Sequence, residues 1–414
     1  MKLWHSLDPD NLRKVQEFKS VKRRKICIVT TSRSDFGLLR ELLKCIHADL
    51  ALRLQVIASG MHLSPEFGLT VREIEAEGFR PDKKVDMRLT GGSGLANAQS
   101  IGLGVEGFAN ALAGLKPAIV VLLGDRFELF APAIAALMLR IPIAHIHGGE
   151  RSEGAIDESV RHAITKMASL HFPATESYRQ RIIQMGEAPE RVFNFGAPGL
   201  DQIYKQPQLT RTELEQELGL SLQDSAALVT YHPATHDPGS VDMQVRQLLG
   251  AIKASRVNAV FTMANADAQG ARINARLRAL CKQNPGRFRW EPHLGHSRYL
   301  SCLKHFSLMI GNSSSGLTEA PSFRLPVVNI GDRQRGRVRA ANVIDVPCSR
   351  AAILRGIKRA LSLRFRASLR DMHNPYDHYQ DGLASERIKD VIKNVQLSDD
   401  FLKKSFHDLP VGRT

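Results

Sequence analysis

The sequence predicts an α/β protein made of two doubly wound domains, each with a parallel sheet between layers of helix. Three observations carry this expectation. The 414 residues suit two domains of ordinary size, with ample core in each. Continuous apolar runs of strand length recur along the chain, as strands buried on both faces require. Helical stretches separate these runs, and alternation of that kind builds right-handed βαβ units around a parallel sheet.

A charged extension (1–24) comes first. "KICIVTTS" (25–32) reads as the first buried strand, followed by a helix from Phe36 to His47 and the strand-like "LRLQVIASG" (52–60). Further units end in "AIVVLLGD" (118–125), "PIAHIHGG" (142–149) and "RVFNFG" (191–196). The polar stretch 204–225 then interrupts the series and reads as a hinge region. The series restarts with "AALVTYHPA" (226–234), "NAVFTMAN" (258–265), "SLMIGNSS" (307–314) and "PVVNIGD" (326–332). The expected division is an N-terminal domain at 25–198 and a C-terminal domain at 199–372. A helical segment at 373–414 is expected to pack back toward the first domain.

Composition narrows the function. No apolar run is long enough to span a bilayer, and the N-terminus is too charged for a signal peptide. Five scattered cysteines without a C-x-x-C pair argue against a disulfide framework and a thiolate zinc site. These features point to a cytoplasmic protein without membrane contact. The net charge of +15 raises a nucleic-acid binder as a possibility. However, the basic excess is spread out, denser only at 22–25, 332–339 and 349–370, and aromatics do not interleave with it. With no stacking platform, an anionic small molecule is the more economical partner.

In doubly wound sheets ligands sit beyond the carboxyl ends of strands, so those ends are where to search. The stretch "LMIGNSSSGLTEAPSF" ends a strand in Ser313, Ser314, Ser315 and Gly316, and a helix-like segment carrying Glu319 follows. Such a turn serves either as an N-cap or as an anion socket at a helix N-terminus. "LGDRFE" sets Asp125 and Arg126 at another strand end, with Glu128 opening the next element. "HIHGGE" places His145 and His147 two apart, hence on one strand face, with Glu150 behind the glycines. No second ligand cluster accompanies them, so no metal is expected. In "GAIDESVRHAITK", Asp157 and Arg161 lie four apart on one helix face, where an ion pair is the ordinary expectation. "TSRSDFG" puts Arg33 in the first turn, "TYHP" puts His232 at a strand end, and "GDRQRGRVR" supplies Arg333 and Arg337. Asn265, which ends "NAVFTMAN", and Asp267, two residues on, are further binding candidates. The G-x-G-x-x-G match at Gly102, Gly104 and Gly107 lies inside a helical segment (94–115), not after a strand, and reads as close helix packing. Each feature alone is ordinary. Their coincidence at strand ends in both halves is what an anion held between two domains requires.

Taken in order from Thr31 to Arg339, these motifs resemble the hydrolysing UDP-N-acetylglucosamine 2-epimerases of bacterial sialic-acid synthesis. The resemblance covers essentially everything after the N-terminal extension. It implies the GT-B fold, two Rossmann-like domains with the active site in the cleft between them. It also implies that the Gly-Asn-Ser-Ser turn holds the diphosphate and that Glu319 takes the ribose hydroxyls. Some branches carry a carboxylate where this chain has His147, and the His-Gly-Gly-Glu form resembles the bacterial sialic-acid branch. The implied reaction turns UDP-N-acetylglucosamine into UDP and N-acetylmannosamine through 2-acetamidoglucal. A related branch acts on UDP-2,4-diacetamido-2,4,6-trideoxyglucose for legionaminic acid. The C2 hydrogen of a sugar nucleotide is not acidic, so its removal needs the C1–O bond to be breaking already. Arg33, His232, Arg333 and the serine turn would stabilise the leaving UDP. Asp125 and Asp157 lead as acid/base groups, with His147 and Glu150 behind them. Neither metal nor nicotinamide is required by this route. The family suggests a homo-oligomer, a dimer or a tetramer.

Overall fold

The computed structural model describes residues 23–89, 93–153, 156–222, 225–233, 241–264 and 268–410. Two six-stranded parallel sheets organise them. The first runs in the order β3-β2-β1-β4-β5-β6, from β1 (Arg24–Thr30), β2 (Leu52–Ser59), β3 (Lys83–Val85), β4 (Ile119–Leu123), β5 (Ile143–Ile146) and β6 (Leu170–Phe172). The second runs β12-β11-β10-β7-β8-β9, from β7 (Ala226–Thr230), β8 (Asn258–Phe261), β9 (Phe288–Trp290), β10 (Leu308–Gly311), β11 (Val327–Ile330) and β12 (Val343–Val346). Both follow the same winding, so strand order reverses between β1 and β4 in one half and between β7 and β10 in the other. Crevices open at such reversals. Two Rossmann-like domains facing each other across these crevices make the GT-B arrangement.

The continuous apolar runs have a direct cause. In β1, Ile26 and Ile28 pack into one core while Cys27 and Val29 pack into the core on the opposite face. In β7, Ala227 and Val229 face one core and Ala226 and Leu228 the other. Each inner strand therefore has no polar face to display. The four edge strands were not legible: β3, β9 and β12 are short and partly exposed, and β6, although buried, is only three residues long.

Several expectations need correction. Residues 191–196 are not a sheet strand. The edge is β6, and Val192 makes only an isolated bridge to His171. The aromatic alternation there serves packing instead, with Phe193 and Phe195 stacked on Phe172 at centroid distances of 5.9 and 6.3 Å. The polar stretch 204–225 contains a helix, Arg211–Leu218, opened by a capping box between Thr210 and Glu213. Leu214 and Leu218 anchor it in the core of the second half. The glycine triplet lies within the helix Gly94–Leu115 and does serve packing at two positions. A Cβ on Gly104 would meet Ala131 and Met87 at 2.8 Å, and one on Gly107 would meet Val85 at 2.7 Å.

Beyond the second sheet the chain returns to the first half. Helix Ala384–Asn394 lies against helix Arg33–Ala48, with Ile388 and Ile392 in the shared core. Arg24 Nη1 donates to Ile392 O and Val395 O, each at 2.8 Å. On the way, Tyr376 joins the halves. The Val338 N–H donates to the Tyr178 hydroxyl at 2.9 Å, and Tyr376 Oη donates to Val338 O at 2.9 Å. With that proton committed, the 2.9 Å contact between the two hydroxyls runs from Tyr178 to Tyr376.

Candidate active site

A cleft of about 650 Å³ separates the two sets of strand ends. Its first wall starts where β1 stops. Ser32 caps the next helix, its hydroxyl accepting from the Asp35 N–H at 3.3 Å, and this turn sets Arg33 at the cleft. Arg33 spans toward the other half, with Nη1 3.0 Å from His293 Nδ1 and Nε 3.0 Å from Glu73. After β4, Gly124 (φ 90°) turns the chain and presents Asp125 and Arg126. Arg126 is held by the buried Glu128 at 2.7 Å.

Arg161 settles the geometry beneath. It is 1% exposed, and its Nη2 meets the Asp125 carboxylate and Ser152 Oγ, the latter at 2.8 Å. Its Nη1 donates to Glu150 O at 3.0 Å and reaches Glu158 at 3.4 Å. The expected pair of Asp157 with Arg161 is therefore replaced. The guanidinium turns inward to a carboxylate on a neighbouring strand end, and Glu158, three residues before it, is its helical partner.

After β5 the chain kinks. His147 has φ 63° and Gly149 has φ 74°, where a Cβ would come within 2.5 Å of Tyr178 O. The strand ends at Ile146, so the two-residue period that would align His145 with His147 does not extend to His147. His145 is fully buried, Nε2 2.8 Å from Gly124 O and Nδ1 3.2 Å from Thr165 Oγ1. His147 lines the cleft, and its Nδ1 lies 2.6 Å from Glu150 Oε1. Burial opposes ionisation of Glu150. His147, together with Arg337 at 3.8 Å from the opposite half, outweighs burial and holds the carboxyl below its ordinary range.

The second wall turns on Gly311 and Asn312. Gly311 (φ 140°) passes so close to β7 that a Cβ would lie 1.8 Å from Thr230 O. Asn312 then ties both strand ends together. The His232 N–H donates to Asn312 Oδ1 at 2.8 Å, and Asn312 Nδ2 donates to His232 O at 2.9 Å. The Asn312 carbonyl accepts from Arg333 Nη1 at 3.1 Å and Gln334 Nε2 at 2.8 Å. One residue thus aligns His232, Arg333 and the serine turn. Ser313, Ser314, Ser315, Glu319 and Arg337 complete this wall. Burial, then the Arg333 charge, pushes the His232 imidazole down to about 4, so it is neutral near pH 7. Burial raises the Glu319 carboxyl, partly offset by hydrogen bonds from Ser315 and Thr318.

Two of the expected residues that the structure describes, Gly316 and Asp157, are not on the walls. Gly316 packs beneath the turn, where a Cβ would meet Val327 at 2.9 Å. Asp157 is not among the lining residues; burial raises its carboxyl, with Arg126 opposing. Asn265 and Asp267 lie outside the described residues. Sequence reasoning missed Asn312, although it stands inside the quoted serine motif, because its amide works on backbone groups. It also missed His296 and Tyr299. His296 lines the cleft, and the Tyr299 hydroxyl meets Ser315 Oγ. No strand end marks either of them in the sequence.

Comparison with known proteins bears on this arrangement. A family model described as UDP-N-acetylglucosamine 2-epimerase matches residues 44–393. The chain is 40% identical over 388 residues to the GDP/UDP-N,N'-diacetylbacillosamine 2-epimerase (hydrolyzing) of Campylobacter jejuni, covering 94% of this chain and 100% of that one. It is 38% identical over 382 residues to the UDP-N,N'-diacetylbacillosamine 2-epimerase (hydrolyzing) of Legionella pneumophila, covering 92% and 98%. It is 37% identical over 390 residues to the polysialic acid biosynthesis protein P7 of Escherichia coli, covering 94% and 98%. The crystal structure of UDP-GlcNAc 2-epimerase from Neisseria meningitidis bound to UDP-GlcNAc superposes with a TM-score of 0.76 at 17% identity, covering 89% and 99%.

Proposed function

The chain belongs to the UDP-N-acetylglucosamine 2-epimerase family, and on that premise we propose that it is a hydrolysing 2-epimerase of UDP-N,N'-diacetylbacillosamine. The sugar is 2,4-diacetamido-2,4,6-trideoxyglucose, and the products are UDP and the free 2-epimer, a precursor for a legionaminic-type acid. The observation that carries this choice is full-length similarity, at 40% and 38% identity, to two enzymes named for that substrate. The UDP-N-acetylglucosamine reading, with N-acetylmannosamine as product and sialic acid as destination, is supported by the polysialic acid relative at 37%. It stands second.

The cleft chemistry suits either sugar. On this reading the serine turn, Arg333 and His232, which line the cleft, would hold the diphosphate, and Glu319 would accept from ribose hydroxyls. As the C1–O bond breaks, negative charge gathers on the departing UDP, and fixed cationic and hydroxyl donors stabilise it without reorganising. Oxocarbenium character at C1 then acidifies the C2 hydrogen, and its loss gives the acetamidoglucal. Hydration with protonation at the opposite face of C2 releases the epimer. Direct comparison of kcat/KM for the two UDP-sugars, with products identified by NMR, tests the assignment. A preference of about tenfold or more for the diacetamido sugar is expected, the least that a methylene-sized difference in a fitted pocket gives and well below what an unpaired polar group costs. Equal or faster turnover of UDP-N-acetylglucosamine would overturn it.

A further inference from the structure

Among the described residues, four that line the cleft carry a buried side-chain nitrogen without a hydrogen-bond partner, Arg126 Nε, His147 Nε2, Arg161 Nε and His296 Nε2, and of the two imidazoles only His147 has its other nitrogen held by a carboxylate. His147 lines the cleft, its side chain is 13% exposed, and its Nε2 makes no hydrogen bond. The other ring nitrogen is committed, since Nδ1 lies 2.6 Å from Glu150 Oε1. A carboxylate only accepts, so Nδ1 carries the hydrogen and Nε2 carries the lone pair in the neutral ring. The loop keeps this arrangement at a backbone cost. His147 sits at φ 63°, a conformation that costs a non-glycine residue stability and recurs where function requires it.

The carboxylates at the same site are differently placed. Asp125 faces the buried guanidinium of Arg161, and protonating it would leave that cation without its closest counter-charge. Asp157 is not on the cleft wall. Glu150 is 5% exposed and already engaged by His147 and Arg337.

We propose that His147 is the general base of the elimination step and that Glu150 is its positioning residue. The inference rests on the 2-epimerase reading. The C2–H bond breaks as its proton moves to His147 Nε2. Its electron pair becomes the C1=C2 bond, and the C1–O pair leaves with UDP. Glu150 fixes the tautomer and stabilises the imidazolium that forms. Arg337, 3.8 Å from Glu150, reaches this dyad from the half that holds the nucleotide candidates.

Two variants and one spectrum test it. The wild-type enzyme is first shown to release UDP from either UDP-sugar; failure there would sink the epimerase reading and leave the dyad out of account. His147→Gln should then bind UDP within about threefold of wild type while kcat falls roughly 100- to 10,000-fold. His147→Gly, which also relieves the positive φ, should regain turnover in a saturable way with added imidazole. A structural histidine would not respond. In long-range proton–nitrogen spectra, the signal lost in His147→Gln should show the Nδ1–H tautomer, and Glu150→Gln should shift its tautomer balance and lower kcat with KM unchanged. Turnover of His147→Gln within tenfold of wild type would overturn the assignment. So would an Nε2–H tautomer, or a glycine variant that binds UDP but ignores imidazole.

Discussion

Removing the Tyr178 hydroxyl, with Tyr178→Phe, tests how the two halves are held in register over the cleft. The hydroxyl accepts from the Val338 N–H and contacts Tyr376 Oη, both at 2.9 Å, and Tyr376 returns a bond to Val338 O at 2.9 Å. Both tyrosines are fully buried, so water does not readily replace a deleted hydroxyl. Phenylalanine at 178 leaves the Val338 N–H unpaired and Tyr376 without its donor. An unsatisfied buried group costs about 1–3 kcal/mol, and Val338 is only partly buried, so roughly 2 kcal/mol is expected. Tyr376→Phe strands the Val338 carbonyl and should cost a similar amount. The double variant removes the shared bond once, not twice, so its loss should fall short of the sum by about 1 kcal/mol. Urea unfolding of all four proteins measures this cycle. Losses below about 0.5 kcal/mol in each single variant, with strict additivity, would refute the closed hydroxyl chain.

Three further outcomes follow from the same geometry. Arg333→Ala and Glu319→Ala should each weaken UDP binding about tenfold or more by calorimetry, because charge-assisted contacts contribute roughly 1.5–3 kcal/mol; unchanged affinity in both would put the nucleotide elsewhere. Asp125→Asn leaves Arg161 buried without its closest counter-charge and should destabilise the fold by roughly 3 kcal/mol, whereas Asp157→Asn, on a residue that does not pair with Arg161, should cost far less. Burial works against ionisation of Glu187, but His171, Lys166 and Lys404 overcome it and hold the carboxyl at about 2, below its ordinary 4.5. Because the folded value is the lower one, this stabilisation is complete above about pH 4.5 and is lost as pH falls toward 2, and Glu187→Gln should flatten acid unfolding across that window.

The parts of the fold that were legible share one physical feature. Strands β1, β4, β7 and β10 are buried on both faces, so their apolar runs are unbroken. The edge strands run over only three or four residues, and β3, β9 and β12 mix buried with half-buried or exposed positions, so they carry no such signal. Strand-end motifs were legible because turn chemistry is local. Pairing was not. Asp125 and Arg161 stand 36 residues apart in sequence, and only the adjacency of β4 and β5 brings them together, so the nearer Asp157 looked the better partner. The same holds for Glu150 and Arg337, which meet only when the two halves face each other. Asn312 was legible as a residue of the serine turn, but its four bonds to the His232 backbone, Arg333 and Gln334 depend on β7 lying beside β10.

On the proposed function, this cleft breaks both the C1–O and the C2–H bond of one UDP-sugar and returns a proton to C2 on the other face. One reaction in D2O, followed by proton and carbon NMR with UDP-N,N'-diacetylbacillosamine as substrate, examines all three events. Free UDP, a 2-epimerised free sugar and solvent deuterium at C2 are expected. Release of UDP with the original configuration and hydrogen retained at C2 would reduce the enzyme to a simple sugar-nucleotide hydrolase and contradict the epimerase assignment.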